Sequence, residues 1–179
     1  LAEIPFVRLR EGLDEDLLSG RAPFSAVVAD AQRALPPTAL ALDPETLSVT
    51  AGGETLRLRP GEFALYWLLA ERARRGLPGA HWSEDGLGEE YLDYYARLVG
   101  PASGLYERTE EAYRHGLTKD NFDPTKSNIN KALRRQLGQR GAEPYRIKPL
   151  GRIPGTRYRR FGLGLEAGVI DVPGPRAPD

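Results

Sequence analysis

Apolar and polar positions alternate with a period of two over residues 39–42, 47–51 and 55–58. One apolar side per stretch, as in Leu47/Val49 and Leu56/Leu58, is the pattern of half-buried strands. Asp43-Pro44-Glu45 and Gly52-Gly53-Glu54 supply turn chemistry between them, which predicts a three-stranded β-meander. The period then lengthens. Arg59-Pro60-Gly61-Glu62 opens a helix, with Pro suited to the first turn and Glu62 to the positive end of the dipole. Phe63, Tyr66, Trp67, Leu69 and Ala70 form its apolar stripe, and Gly76-Leu77-Pro78-Gly79 ends it. After a loop at 80–88, helices are expected at 89–99 and 103–116, broken at Gly100-Pro101. Tyr91, Leu92, Tyr95 and Leu98 face inward in the first, Leu105, Ala112 and Tyr113 in the second.

Asn121-Phe122-Asp123-Pro124 reads as a turn before an amphipathic helix at 126–137. Ile129, Ala132, Leu133 and Leu137 form its inner face, and Gly138 is its C-terminal signal. Strands at 145–150 and 156–161 flank the five-residue loop 151–155 as a hairpin. Upstream of the meander, the pattern predicts a strand within 4–10. A helix follows, capped by Ser25, carrying Val27, Val28, Ala31 and Leu35, and closed by Pro36-Pro37. The chain divides accordingly into a linker strand and helix at 1–38, a domain at 39–165 and a Gly/Pro-rich tail at 166–179. The fold class expected is α+β.

Composition narrows the chemistry. The 179 residues contain no Cys, which excludes disulfides, thiolate metal sites and a thiol nucleophile. Two histidines, His81 and His115, leave little for a His-based metal centre. The carboxylate groups Glu84/Asp85, Glu89/Glu90/Asp93 and Glu110/Glu111 lack metal-loop spacing, and there is no phosphate-loop or dinucleotide motif. No cofactor or metal is therefore expected. No apolar run is long enough to span a bilayer, and the N-terminal residues lack a signal-peptide pattern, so a cytoplasmic protein without a membrane partner is expected. A chain that opens on Leu1 and contains no Met is expected to be a piece of a longer protein.

Charge changes the picture most. Net charge is zero, with 25 basic and 25 acidic residues. Yet residues 126–160 hold 11 Lys/Arg against one acidic residue, while 83–125 hold four against ten. A segment with ten excess positive charges points to an anionic partner. On the 126–137 helix, Lys126, Ser127, Asn130, Lys131, Arg134 and Arg135 are the candidate contacts with DNA or RNA. Asn and Arg suit base edges; Lys and Ser suit phosphate. Arg152, Arg157, Arg159 and Arg160 extend this surface onto the hairpin.

The order of strands, Leu58-Arg59-Pro60-Gly61-Glu62-Phe63, the basic 128–137 helix and the hairpin with Arg157-Tyr158-Arg159 resembles the winged helix-turn-helix of OmpR/PhoB-type regulators. The resemblance covers 39–163 and implies a recognition helix followed by a β wing. Here residues 76–125 form an enlarged helical insertion between the first helix and the recognition helix. A second resemblance rests on 1–10, on Pro23-Phe24-Ser25 with Ala31-Gln32, and on Lys126-Ser127-Asn128-Ile129-Asn130-Lys131-Ala132-Leu133 with Leu137-Gly138. These are similar to the C-terminal half of a CRISPR-associated family with an N-terminal CARF-type, ring-nuclease-like domain. That resemblance implies a type III antiviral defence protein, with cyclic oligoadenylate bound and any ring-nuclease activity in a preceding domain. The segment itself is then non-catalytic. Two alternatives stay open. Arg108-Thr109-Glu110-Glu111-Ala112-Tyr113-Arg114-His115 fits the Arg-x(4–6)-His pattern of HEPN ribonucleases, with His115 as acid/base and Arg108 stabilising a phosphorane. The acidic and basic segments on one chain also suit a protein-docking or homodimerising winged helix.

Overall fold

The computed structural model describes residues 39–113 and 116–173. All belong to the second of two units into which the chain divides, Thr38–Asp179. The strand expected within 4–10, the Ser25-capped helix, His115 and the end of the tail lie outside the described residues. The described fold is α+β, with four helices and two small sheets.

Strands β1 (Leu40–Asp43), β2 (Ser48–Ala51) and β3 (Glu54–Arg57) form the expected antiparallel meander. Its second corner is Gly52-Gly53, with φ of +57° and +84°. Two successive left-handed residues match a two-residue hairpin turn to the twist of its strands, and glycine takes that conformation without a Cβ clash. At the first corner the Asp43 carboxylate accepts from the Glu45 amide at 2.9 Å and from the Thr46 hydroxyl at 2.6 Å.

Helix α1 (Pro60–Arg74) opens with the expected proline, and Glu62 reaches back to the Arg59 amide. Every residue from Phe63 to Glu71 is buried, so the stripe read from the sequence is only part of what the helix hides. It packs against α2 (Leu87–Val99), α4 (Lys119–Gly141) and the strand β5 (Arg159–Gly162). A helix enclosed this way is held by tertiary packing rather than by propensity. Leu40, Leu42, Val49 and Leu56 of the meander join Phe63, Leu65, Tyr66 and Leu69 in one core with Ile129 and Leu133 of α4. Helix α3 (Gly104–Ala112) buries nothing, although Ser103 caps it by accepting from the Tyr106 amide at 3.1 Å. Leu105, expected to face inward, is 56% exposed.

Several boundaries differ from the sequence reading; the helix expected at 103–116 ends at Ala112, and the strands expected at 145–150 and 156–161 begin at Lys148 and Arg159. The 121–124 turn is the opening of α4 instead. Thr118 and Asn121 form a reciprocal capping box, and Phe122 is fully buried. Pro124 so near the start removes one intrahelical bond and leaves the helix intact. Gly138 breaks the helical path at φ +73°, as its C-terminal role predicts, and one further turn follows it. In the hairpin, β4 (Lys148–Arg152) includes Gly151 and Arg152, which the sequence pattern assigns to the loop. It pairs with β5 across a register shift between Pro149 and Gly151. Finally, the segment read as a tail holds a 3₁₀ turn at Ala167–Val169 and β6 (Ile170–Asp171). β6 lies parallel to β1, giving the sheet order β3-β2-β1-β6. Among the described residues no helix is long and apolar enough to cross a membrane.

Candidate nucleic-acid interface

Helix α4 carries two faces. Phe122, Ile129 and Leu133 are fully buried at helical spacing and fix the helix against the core. Ser127, Asn128, Lys131, Arg134 and Arg135 lie on the other side and are exposed. Arg134 folds its Nε back to the Asn130 carbonyl at 3.3 Å. Among the described residues Lys131 and Arg135 have no ion-pair or hydrogen-bond partner.

Two residues expected to meet nucleic acid, Asn130 and Lys126, are largely buried and hold intramolecular contacts. Asn130 is 9% exposed, and its side-chain amide bonds to the backbone at both ends. Nδ2 donates to the Ile147 carbonyl at 2.9 Å, and Oδ1 accepts from the Ile147 amide at 2.8 Å. Ile147 directly precedes β4, and Asn130 supplies the bonds that a neighbouring strand would give it. Lys126 has its Nζ 2.7 Å from Asp123 Oδ1 and 3.5 Å from the centre of the Phe161 ring. It clamps α4 to β5 and is withdrawn from solvent, with its side chain 14% exposed. Burial alone would push the Asp123 carboxyl up, but hydrogen bonds and charge from Lys126 and Lys119 outweigh it and hold the group below its ordinary value.

The hairpin is anchored on three sides. Tyr66 of α1 donates its hydroxyl to the Tyr145 carbonyl at 2.8 Å, both residues being buried. Burial pushes the Tyr66 phenol far up, so it stays a neutral donor. Ala80, just after α1, exchanges both backbone hydrogen bonds with Phe161, at 2.8 and 2.7 Å. Gly79 permits this approach, because a Cβ there would lie 2.6 Å from the Phe161 carbonyl oxygen. Asn130 completes the set from α4. Arg152, Arg157 and Arg159 then project from this fixed frame and are exposed. Arg160 is placed differently from the other hairpin arginines. Its Nε sits 3.9 Å from Glu84, which also takes a 2.8 Å bond from Arg72, so Arg160 belongs to a half-buried charge cluster.

The exposed face of α4 separates two clefts. One, of about 560 Å³, lies between α4 and the β3–α1 corner, lined by Arg57, Arg59, Asn128, Lys131 and Arg135, with Glu62, which caps α1, as its one carboxylate. The other, of about 530 Å³, lies between α4 and the hairpin, lined by Ser127, Arg157, Tyr158 and Arg159 together with His81 and Trp82, with the Asp123 carboxylate held between Lys119 and Lys126 in the same wall. Basic side chains thus flank the helix on both sides, as phosphate contacts flank a groove-reading helix. Arg57 and Arg59 escape a reading of the sequence, because their nearness to Lys131 and Arg135 is a product of folding. His81 and Trp82 read only as loop residues. The interleaving of Tyr158 with Arg157 and Arg159 is the one local signal of an aromatic element in this surface.

A third cleft, of about 760 Å³, lies between α2 and α3 and is lined by carboxylates including Glu84, Asp85, Glu89, Glu107 and Glu110. Among the described residues no group of His, Asp and Glu could hold a metal ion. Arg108 is exposed on α3, and His115 is outside the described residues. The two are not shown together. No protein-family model, curated protein or solved structure matches this chain. The reading therefore rests on the residues themselves.

Proposed function

We propose that residues 39–165 are a winged-helix nucleic-acid-binding module, non-catalytic in itself, of a CRISPR-associated type III defence protein. In this reading α4 is the recognition helix and the β4–β5 hairpin is the wing. The observation that carries it is the exposed face of α4, bordered by two clefts whose Lys and Arg side chains are held on anchored elements. Exposed guanidinium groups without carboxylate partners keep their full attraction for phosphate. The link to the CRISPR-associated family, and through it to cyclic oligoadenylate, rests on the sequence motifs alone.

The test is binding of duplex DNA and RNA against salt. Each phosphate contact contributes a slope of about −0.9 in log affinity against log salt on B-DNA. A shallower slope on replacing Arg134, Arg135, Arg157 and Arg159 with Ala supports the reading. Binding that is independent of salt, or unchanged in that variant, ends it. A docking role has one observation in its favour, the acidic cleft between α2 and α3, which complements the charge of a second copy's α4. Sedimentation showing a monomer at high concentration and low salt would remove the homodimer form of that reading.

A further inference from the structure

We infer that the cleft between α4 and the hairpin is a stacking pocket for one unpaired nucleobase, an inference that rests on the nucleic-acid reading above. Three aromatic rings from two distant segments of the sequence meet there. His81 packs against Trp82 at 4.7 Å and against Tyr158 at 5.1 Å between ring centres, with interplanar angles of 37° and 34°. Trp82 and Tyr158 stand edge to face at 6.2 Å. His81 is 2% exposed and serves as the floor. The Ser83 amide donates to its Nδ1 at 3.2 Å, which places the ring proton of the neutral form on Nε2. Burial lowers the affinity of His81 for a second proton, so the floor is an uncharged ring at neutral pH.

Tyr158 is the platform. It is 43% exposed, an unusual outlay for a large ring whose other face is covered by His81. Its neighbours in sequence are Arg157 and Arg159, and both line the same cleft. The Arg157 guanidinium lies over the Tyr158 ring at 6.0 Å from its centre, so a base would enter by stacking on the ring as that mobile side chain swings to a phosphate, and the pair matches a nucleotide in both its parts. The base stacks on the ring and the phosphate meets the arginines, as in single-strand-binding surfaces. The cleft, of about 530 Å³, is of a size that takes a ligand as large as a nucleotide. It opens beside Ser127 on the exposed face of α4, so a strand leaving a duplex on α4 would deliver its first unpaired base here.

The experiment compares a blunt duplex with the same duplex carrying a short single-stranded overhang. The parent, Tyr158→Ala, Tyr158→Trp and Arg134→Ala are titrated in parallel. Tyr158→Ala is expected to weaken binding of the overhang substrate about tenfold more than binding of the blunt duplex, the scale of one base–aromatic stack. Tyr158→Trp restores the difference, and Arg134→Ala weakens both substrates. Trp82 emission, read in a Trp67→Phe background, is quenched by the overhang substrate and not by the blunt one. The pocket is refuted if Tyr158→Ala affects both substrates equally or neither while salt-dependent duplex binding persists. If the parent shows no salt-dependent binding of any substrate, the nucleic-acid reading falls and the pocket with it.

Discussion

Helices α3 and α4 are both charged and surface-facing, yet they differ in what holds them. α4 buries Phe122, Ile129, Asn130 and Leu133, and side-chain ties through Lys126 and Asn130 fasten it to the hairpin. α3 buries nothing and keeps a capped but solvated helix, acidic at Glu107, Glu110 and Glu111. The basic residues of α4 therefore sit on a helix tied into the core, and the acidic residues of α3 on one that buries nothing. Recognition of a regular polyanion needs charges at fixed spacing, which only the first arrangement provides. A solvated acidic helix, whose carboxylates are satisfied by water, needs no such support.

The largest effect that sharpens this contrast is on binding. Replacing Arg134, Arg135, Arg157 and Arg159 together with Ala is expected to reduce the salt slope by up to about 0.9 for each phosphate that is no longer neutralised, and to weaken duplex binding by about 100-fold or more at moderate salt. Fluorescence anisotropy across a salt series checks it. Unfolding should be nearly unaffected, because all four side chains are exposed. Reversing Glu107 and Glu110 to Lys is the matching change on α3, and it should leave the slope intact.

Next comes Asn130→Ala. It leaves the Ile147 amide and carbonyl without partners in a buried site, a cost of about 3 kcal/mol in unfolding free energy. Urea denaturation measures it. Asn130→Asp keeps an acceptor for the amide and removes the donor to the carbonyl, so it too destabilises. A stability change below about 0.5 kcal/mol in Asn130→Ala would show that α4 and the hairpin are held by packing alone.

The Asp123–Lys126 pair makes the anchoring pH-dependent. Its carboxyl is depressed below the ordinary value of 3.8 in the folded chain. Its contribution is therefore present above that value and disappears as pH falls through the lower folded value. Asp123→Asn should flatten the acid limb of a stability–pH curve. His81 acts in a higher window. Its folded value lies below 6.5, lowered first by burial, so the unfolded chain binds more protons and stability declines as pH falls from 6.5 toward the folded value. His81→Gln should remove that decline.

The sequence carried the meander, α1 and the basic helix because each is encoded by local pattern: Gly-Gly for a left-handed corner, Pro-Gly-Glu for a helix start, a 3.6-residue stripe for an inner face. It misled where a distant contact decides. Asn130 sits beside exposed residues on a helical wheel, and its partner Ile147 lies 17 residues on. Pro124 marks a turn by local rules, yet the burial of Phe122 and the Thr118–Asn121 cap draw the helix through it. β6 spans two residues, too few to show a period. The aromatic cleft joins positions 81, 82 and 158, which no spacing rule connects.

The smallest effect tests the other half of the contrast. Leu105 is the apolar residue that the helical pattern of α3 pointed inward, and it is 56% exposed. If α3 is held only by its own cap and its neighbour α2, Leu105→Ala should change unfolding free energy by no more than about 0.5 kcal/mol, since little buried area is removed and alanine favours the helix. The same truncation at Leu133, fully buried in α4, should cost about 2–5 kcal/mol. Ser103→Ala removes the hydroxyl that accepts from the Tyr106 amide and should fray α3 by about 1 kcal/mol of local stability. Hydrogen exchange would show that fraying in α3 amides while α4 amides stay protected, because sparsely buried elements open locally without global unfolding. Equal deprotection of α4 would mean that the two helices form one cooperative unit, and the rigid support of the basic face would then depend on the acidic helix it is contrasted with.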